Sequence, residues 1–396
     1  MVMCMPDHIH EIMSRIEAAG YEAFVVGGSL RDLLLGKEPH DWDVTTSALP
    51  ETVASLFPDR HVIPTGLKHG TVTVVYDGEP VEITTYRIDG EYTDSRRPDG
   101  VLFTTSIEDD LSRRDFTVNA LAYNENRGLV DLFGGMRDLE NKVIRAVGDP
   151  EKRFTEDALR IMRAFRFSAQ LNFGIDKNTL EAAKKLSPRL KYIARERIGS
   201  EFMRLLASQR PEKALSLMGN VIYEILPTDG LQKDRFSLGE KLGPSPEARL
   251  SLILHGKTRE ELLNVAHELR LSNEQKRKLV LLATPPELHL DISPLSARRF
   301  LRHYGELSAV AAKILVILGA TSPEFEALAA AEAAKKPCLS LSELAVSGTD
   351  LISMGLASGR AVGDLLSRLL DAVIEDPTLN EKRTLIELAK SLSHTN

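Results

Sequence analysis

The stretch Gly27-Gly28-Ser29-Leu30-Arg31-Asp32, with Asp41-Trp42-Asp43 shortly after it, decides how the first part of the chain folds. Residues 21–26 form a short apolar run that stops at the double glycine, and residues 29–35 continue with helical spacing. That order is strand, tight turn, helix, with Ser29 placed to cap the helix. Residues 42–46 read as a second strand, and Leu49-Pro50-Glu51 opens another helix, because proline suits a first turn. Two β-rich runs, 71–76 and 80–86, flank Asp77-Gly78, a dipeptide suited to a two-residue hairpin. Residues 128–133 add a strand before Gly134-Gly135. The first 150 residues therefore predict a small mixed α/β domain.

Beyond Pro150 the pattern changes to helix with short breaks. Apolar residues recur at helical spacing over 157–170, 178–186, 195–206 and 259–269. Breaks at 227–230, at Gly243-Pro244-Ser245-Pro246 and at Pro285-Pro286 divide the helices, and the alanine-rich stretch 327–334 before Lys335-Lys336-Pro337 reads as a hinge. The fold class is thus α+β, a small mixed-sheet head followed by an all-α remainder, and residues 231–336 say little beyond helix.

Length and composition fit this division. The 396 residues allow two to four domains, and 43% apolar with 27% charged residues exclude a disordered or fibrous chain. Cys4 and Cys338 are the two cysteines, with no CxxC or Cys/His cluster, so neither a disulfide framework nor a zinc site is expected, and a reducing cytoplasm fits. No apolar run approaches the roughly 18 residues of a membrane span, and no basic region precedes an apolar stretch at the N-terminus. The expected protein is cytoplasmic, with no membrane partner. The formal charge of −7 hides an uneven distribution: residues 151–210 carry 14 Lys and Arg against 7 Asp and Glu. That segment suits phosphate, although a solvated helical surface would look the same.

Three motifs carry chemistry. Gly27 and Gly28 let backbone amides approach a phosphate, and the following helix N-terminus favours an anion. Asp41 and Asp43, two apart on a strand, project from one face and can hold two divalent ions roughly 3.5–4 Å apart. A turn with strand-edge aspartates is the plainer reading. In Arg113-Arg114-Asp115-Phe116-Thr117-Val118-Asn119 the adjacent arginines beside an acid and an amide suit sugar and phosphate, or a surface ion pair. In the third, Asp157 and Arg160 fall three apart on a helix, a carboxylate and a guanidinium side by side that can read a base edge. Arg163 and Arg166 follow, free to meet a triphosphate, while Ile161, Met162, Phe165 and Phe167 form the helix's apolar face.

In this order, the motifs resemble the bacterial class II tRNA nucleotidyltransferases, the CCA-adding enzymes of the DNA polymerase β-like superfamily, closely over residues 20–205 and more weakly over 344–388. The resemblance implies a nucleotidyltransferase head at 1–149, a neck for base recognition at 150–210, a helical body at 211–336 and a tRNA-binding tail at 337–396. It implies that Asp41 and Asp43 bind Mg²⁺, that Gly27, Gly28 and Arg31 meet the nucleotide, and that Arg114, with Asp115 and Asn119 beside it, contacts the incoming nucleotide. Asp157 and Arg160 become an amino-acid template for CTP or ATP, completed by Arg163 and Arg166, and Glu82 is a third carboxylate or base for the primer hydroxyl. Residues 89–100 match the family's flexible loop, which enzymes adding only CC lack. Glu196-Arg197-Ile198-Gly199-Ser200-Glu201 matches its neck motif, with Arg197 and Glu201 spaced to pair across one turn.

The implied activity is addition of CCA to the 3′ end of tRNA, held by its acceptor stem and elbow, from CTP and ATP. A poly(A) polymerase of this group usually carries a Gly-Arg/Lys-Arg-Phe signature where this chain has Gly66-Leu67-Lys68-His69-Gly70. An enzyme adding only the terminal A would share these motifs. A non-catalytic tRNA-binding relative would be expected to lack Asp41 or Asp43. No His-Asp phosphohydrolase pattern occurs outside His40-Asp41.

Overall fold

The computed structural model describes residues 3–39, 41–89 and 101–393. Helix α1 (Asp7–Ala18) precedes strand β1 (Ala23–Val26), which turns directly into α2 (Gly27–Leu34). Then come β2 (Trp42–Thr46), α3 (Pro50–Leu56), β3 (His61–Gly66), β4 (Thr71–Tyr76), β5 (Glu79–Thr85), β6 (Arg87–Asp89) and β7 (Val101–Phe103). Helix α4 (Ile107–Ser112), β8 (Leu121–Asn124), β9 (Gly128–Asp131), α5 (Gly135–Glu140) and β10 (Val143–Ile144) follow. Seven strands form one sheet in the order β3-β4-β5-β2-β1-β8-β9. All its pairings are antiparallel except β2 with β5, which run parallel with Asp43 opposite Glu82.

The local chemistry explains the elements. In β4 the buried Val72, Val74 and Tyr76 alternate with half-buried residues, the period of a strand with one covered face. Asp77 and Gly78 take φ of 49° and 92°, the left-handed pair that a tight hairpin between β4 and β5 requires. Ile9, Ile12, Met13 and Ile16 of α1 are buried along one stripe. Phe24, Val26, Tyr86, Ile107, Leu111 and Ala122 form a core beneath the β1–α2 turn.

Two expectations change here. The helix after the double glycine starts at Gly27 rather than Ser29, and Ser29 makes no cap. Gly27 takes φ +73°, so the chain enters the helix two residues earlier, and the Ser29 hydroxyl donates back to the Val26 carbonyl at 2.9 Å. The expected helix over 157–170 is α7 (Leu159–Leu171), which starts two residues late because Asp157 is extended and separates it from a preceding helix, α6 (Pro150–Glu156). The loop expected over 89–100 lies, from residue 90 onward, outside the described residues.

The chain divides into two compact units, residues through 240 with 267–271, and residues 241–266 with 272 onward. The first unit adds β11 (Gly174–Ile175), which pairs with β10, then α8 (Lys177–Leu186), α9 (Arg195–Leu206), α10 (Pro211–Met218), α11 (Val221–Ile225) and α12 (Arg235–Leu238). The second is helical: α13 (Pro246–Leu254), α14 (Arg259–Glu268), whose end belongs to the first unit, α15 (Asn273–Ala283), α16 (Pro294–Tyr304), α17 (Ser308–Ile317), α18 (Pro323–Ala334), α19 (Gly348–Ser353), α20 (Arg360–Glu375) and α21 (Lys382–Ser393). Buried Arg298 of α16 donates to the carbonyls of Ile374 and Glu375, closing the C-terminal end of α20, and pairs with Glu332. Among the described residues no helix is long and apolar enough to cross a membrane.

Gly199 of α9 lies against the backbone of Leu269, whose carbonyl oxygen would stand 2.2 Å from an added Cβ. The Gly199→Ala variant is expected to lose about 2 kcal/mol of stability, seen as a thermal midpoint several degrees lower. Gly363→Ala on α20, where an added Cβ meets nothing within 4 Å, should hold or raise the midpoint; equal behaviour of the two would refute the close-packing argument.

Candidate active site

The turn from β1 into α2 brings the motifs together. A Cβ on Gly27 would stand 3.2 Å from Asp43 Oδ2 and 3.4 Å from Arg114 Nη1, and the positive φ independently disfavours any side chain. Strand alternation turns Trp42 and Val44 to one face of β2 and Asp43 and Thr45 to the other. Asp41 precedes the strand and is exposed, as is Glu82 on the neighbouring strand. Burial raises the Asp43 carboxyl above its ordinary value, with Arg114 opposing and the Glu82 and Asp41 charges adding to the rise. The like charges of Asp41 and Glu82 around Asp43 are ones that a divalent cation relieves. Among the described residues no three His, Cys, Asp or Glu side chains are closed around one point as a ready ligand set. The fit therefore rests on charge and on the paired strands.

Beside the acids lies a polar network. Arg31, buried at 8% exposure, donates through Nη1 to Asn119 Oδ1 at 2.7 Å and pairs with Asp32 at 2.8 Å. Asn119 donates to Asp115 Oδ1 at 3.1 Å, which also accepts from the Phe116 amide at 2.8 Å. The other Asp115 oxygen takes Arg163 Nη2 at 2.5 Å and Nε at 2.7 Å. Burial would push this carboxyl up, but Arg163, the Asn119 donor and Arg160 hold it at about 2. The ring of Phe167 packs against three guanidinium groups, with centroid distances of 4.0 Å to Arg166, 5.1 Å to Arg163 and 5.2 Å to Arg31. It also meets Phe116 edge-on at 5.8 Å.

The expected pairings within the third motif differ. Asp157 and Arg160 are not neighbours on one helix face, because the chain is extended at Asp157. Asp157 accepts from the Leu159 amide at 3.0 Å, and Arg197 reaches it at 3.3 Å. Arg160 instead pairs with Glu156 at 2.8 Å and donates to the Arg113 carbonyl at 2.9 Å. Arg197 and Glu201 do not pair across their turn. Glu201 takes Arg166 at 2.5 Å, in a pair with both side chains under a tenth exposed, and Gln170 takes the same guanidinium. Neither Arg163 nor Arg166 is therefore free of partners. Burial lowers the Arg166 pKa despite Glu201.

Sequence reasoning missed Asp110. It is fully buried, its Oδ1 accepts from Arg113 and its Oδ2 from Arg114 at 3.1 Å and Thr45 at 3.2 Å. Burial would raise this carboxyl, but the two arginines hold it below its ordinary value. The available signal was spacing: an acid three and four residues before paired arginines at a helix end.

Comparison with known proteins places this geometry. The model "Poly A polymerase head domain" matches residues 23–145, "Probable RNA and SrmB- binding site of polymerase A" matches 172–221, and "tRNA nucleotidyltransferase domain 2 putative" matches 247–389. The CCA-adding enzyme of Pediococcus pentosaceus is 37% identical, covering 96% of each chain, and that of Levilactobacillus brevis is 38% identical, covering 95% of each. The crystal structure of the Bacillus stearothermophilus CCA-adding enzyme in complex with CTP superposes with a TM-score of 0.83 at 31% identity, covering 99% of this chain and 100% of that one.

The depressed Asp115 carboxyl makes an acid-range prediction. Its stabilising effect is fully present above the ordinary value of 3.8 and is lost as pH falls through about 2. Asp115→Asn is expected to cost about 2 kcal/mol at pH 7, since Arg163 is 34% exposed and keeps some hydration. The gap in melting temperature between variant and wild type should close between about pH 4 and pH 2. A gap independent of pH would remove the ion pair as its cause.

Proposed function

The chain belongs to the family of CCA-adding enzymes, and from that membership we propose how its residues divide the work. The reaction is addition of C, C and A to the 3′ end of tRNA from CTP and ATP, with release of pyrophosphate. The 3′-hydroxyl oxygen bonds to the α-phosphorus, and the bond from that phosphorus to the bridging oxygen breaks. Full-length likeness to CCA-adding enzymes favours complete addition over the A-only, CC-only and poly(A) alternatives.

The observation that carries the residue assignment is the Gly27 turn, where an aspartate and an arginine meet at a glycine that leaves little room for a side chain. The family generally uses a divalent metal, and Asp41 and Asp43 would hold Mg²⁺ here. When bound, such an ion lowers the pKa of an attacking hydroxyl and offsets charge on the leaving phosphates. Gly27 and Gly28 let the phosphates approach the α2 amides, with Arg31 and Arg114 beside them. Glu82, exposed next to Asp43, accepts the proton of the tRNA hydroxyl. Asp115 and Asn119 position Arg163 and Arg31 around the nucleotide. Asp157 and Arg160 present a carboxylate and a guanidinium to the base, each oriented by another partner, Arg197 and Glu156. Arg163 and Arg166 complete the pocket through Asp115, Glu201 and the Phe167 ring.

Residues 1–149 form the catalytic head and 150–210 the neck that reads the base. The body (211–336) and tail (337–396) grip the acceptor stem and elbow through shape and phosphate contacts. A cytoplasmic location fits this work.

The decisive assay supplies tRNA ending before CCA, or after CC, with single labelled nucleotides and Mg²⁺. Asp43→Asn should reduce transfer by at least a thousandfold while the thermal midpoint stays near that of wild type; a near-normal rate rejects the metal role. Asp157→Ala should blur the choice among the four nucleotides while retaining measurable transfer. It should also cost about 1 kcal/mol, because the carboxylate accepts from the Leu159 amide at the start of α7. Intact discrimination rejects the template role. Affinity for tRNA should fall steeply as salt rises, and a flat response counts against phosphate contacts.

A further inference from the structure

Asp110 is completely enclosed in the first turn of α4, and among the described residues no other charged side chain is so fully covered. Its two oxygens have separate tasks. Oδ1 takes Arg113 through Nε at 3.0 Å and Nη2 at 2.6 Å, while Oδ2 takes Arg114 Nη2 and the Thr45 hydroxyl. Thr45 lies two residues beyond Asp43 on the same strand, so this carboxylate ties α4 directly to the strand that carries the reactive acid.

Arg114 is left in an unusual state. Its Nη2 is committed to Asp110, its Nη1 borders the Gly27 turn, and its Nε is buried without a hydrogen-bond partner. A guanidinium this close to the half-buried Asp43 carboxylate would ordinarily close a two-point fork onto it. Its ion pair is with Asp110 instead. Asp110 outcompetes Asp43 because it is already desolvated and fixed by Thr45 and Arg113, so the pair forms at little further cost in ordering.

We propose that Asp110 is the positioning residue that keeps Arg114 off the Asp43 carboxylate and directs its remaining N–H groups toward the Gly27 turn, where the phosphates of the incoming nucleotide are received. This rests on the nucleotidyl-transfer reading above. Two effects follow from one contact. The Asp43 carboxylate stays open to a cation, and Arg114 stays available to phosphate. Without the Asp110 charge, Arg114 collapses onto Asp43, and both are withdrawn together.

The test is a double-mutant cycle on the full-length protein, reading CTP affinity by calorimetry with Mg²⁺ and again in EDTA, with thermal melts alongside. Asp110→Asn and Arg114→Met should each weaken CTP binding about tenfold. The double variant should bind no more weakly than Arg114→Met alone, because Asp110 acts through Arg114. Additive losses, or unchanged CTP affinity in folded Asp110→Asn, overturn the proposal, since a merely structural acid lowers binding equally in both backgrounds. Where Asp110→Asn does not melt cooperatively, Asp110→Glu takes its place. It retains the charge but moves the carboxylate, and it should still bind CTP several-fold more weakly; wild-type affinity in that variant overturns the proposal as well. Wild-type protein that neither binds CTP nor extends tRNA would instead overturn the reaction assignment, so the two failures are distinct.

Discussion

Taking a carboxylate out of water costs several kcal/mol unless donors replace its hydration, and Asp115 meets that condition only because separate stretches of chain converge on it. Asn119 and the Phe116 amide come from the same stretch, whereas Arg163 comes from α7, 48 residues further along the chain. Asn119 then passes the order on to Arg31 in the last turn of α2. One acid thus fixes where α7 sits against the strand-turn-helix unit, and Phe167 reinforces it by packing three arginines against one ring.

The site sorts its charges into two kinds. Asp110 and Asp115 are satisfied by guanidinium groups and stay ionised, so they serve as anchors. Asp43 has burial and two like charges against it and one arginine in its favour, so it holds an unmet demand for positive charge. The arginines divide likewise. Arg160 and Arg166 are held by Glu156 and Glu201, while Arg114 has a buried donor unused. An active site for a polyanion needs both kinds, rigid pairs that hold shape and unpaired groups that meet the ligand.

How much of this was legible in the sequence follows from the range of each interaction. Local chemistry could be read directly: the Asp77-Gly78 hairpin, the strand at 42–46 and helix α9 at 195–206 appear as expected. Strand β8 was missed because all four of its residues are buried, which erases the alternation that marks a strand. Helix α1 went unread although its buried stripe has helical spacing. Within the site the residue types were legible, but the pairings were not. Helical spacing suggested Asp157 with Arg160 and Arg197 with Glu201, yet the chain breaks at Asp157 and each arginine finds a partner elsewhere. Which acid takes which arginine depends on how α7 and α9 dock, and no spacing rule contains that.

The parallel pairing of β2 with β5 inside an otherwise antiparallel sheet has a consequence for biosynthesis. Asp43 and Glu82 become neighbours only after the β3–β4–β5 segment has folded back, so the acidic neighbourhood is among the later contacts of the sheet to close. The arginine that compensates Asp115 leaves the ribosome later still, at a pace of roughly 5–20 residues per second. The order of translation therefore leaves the Asp115 anchor incomplete until α7 has been made.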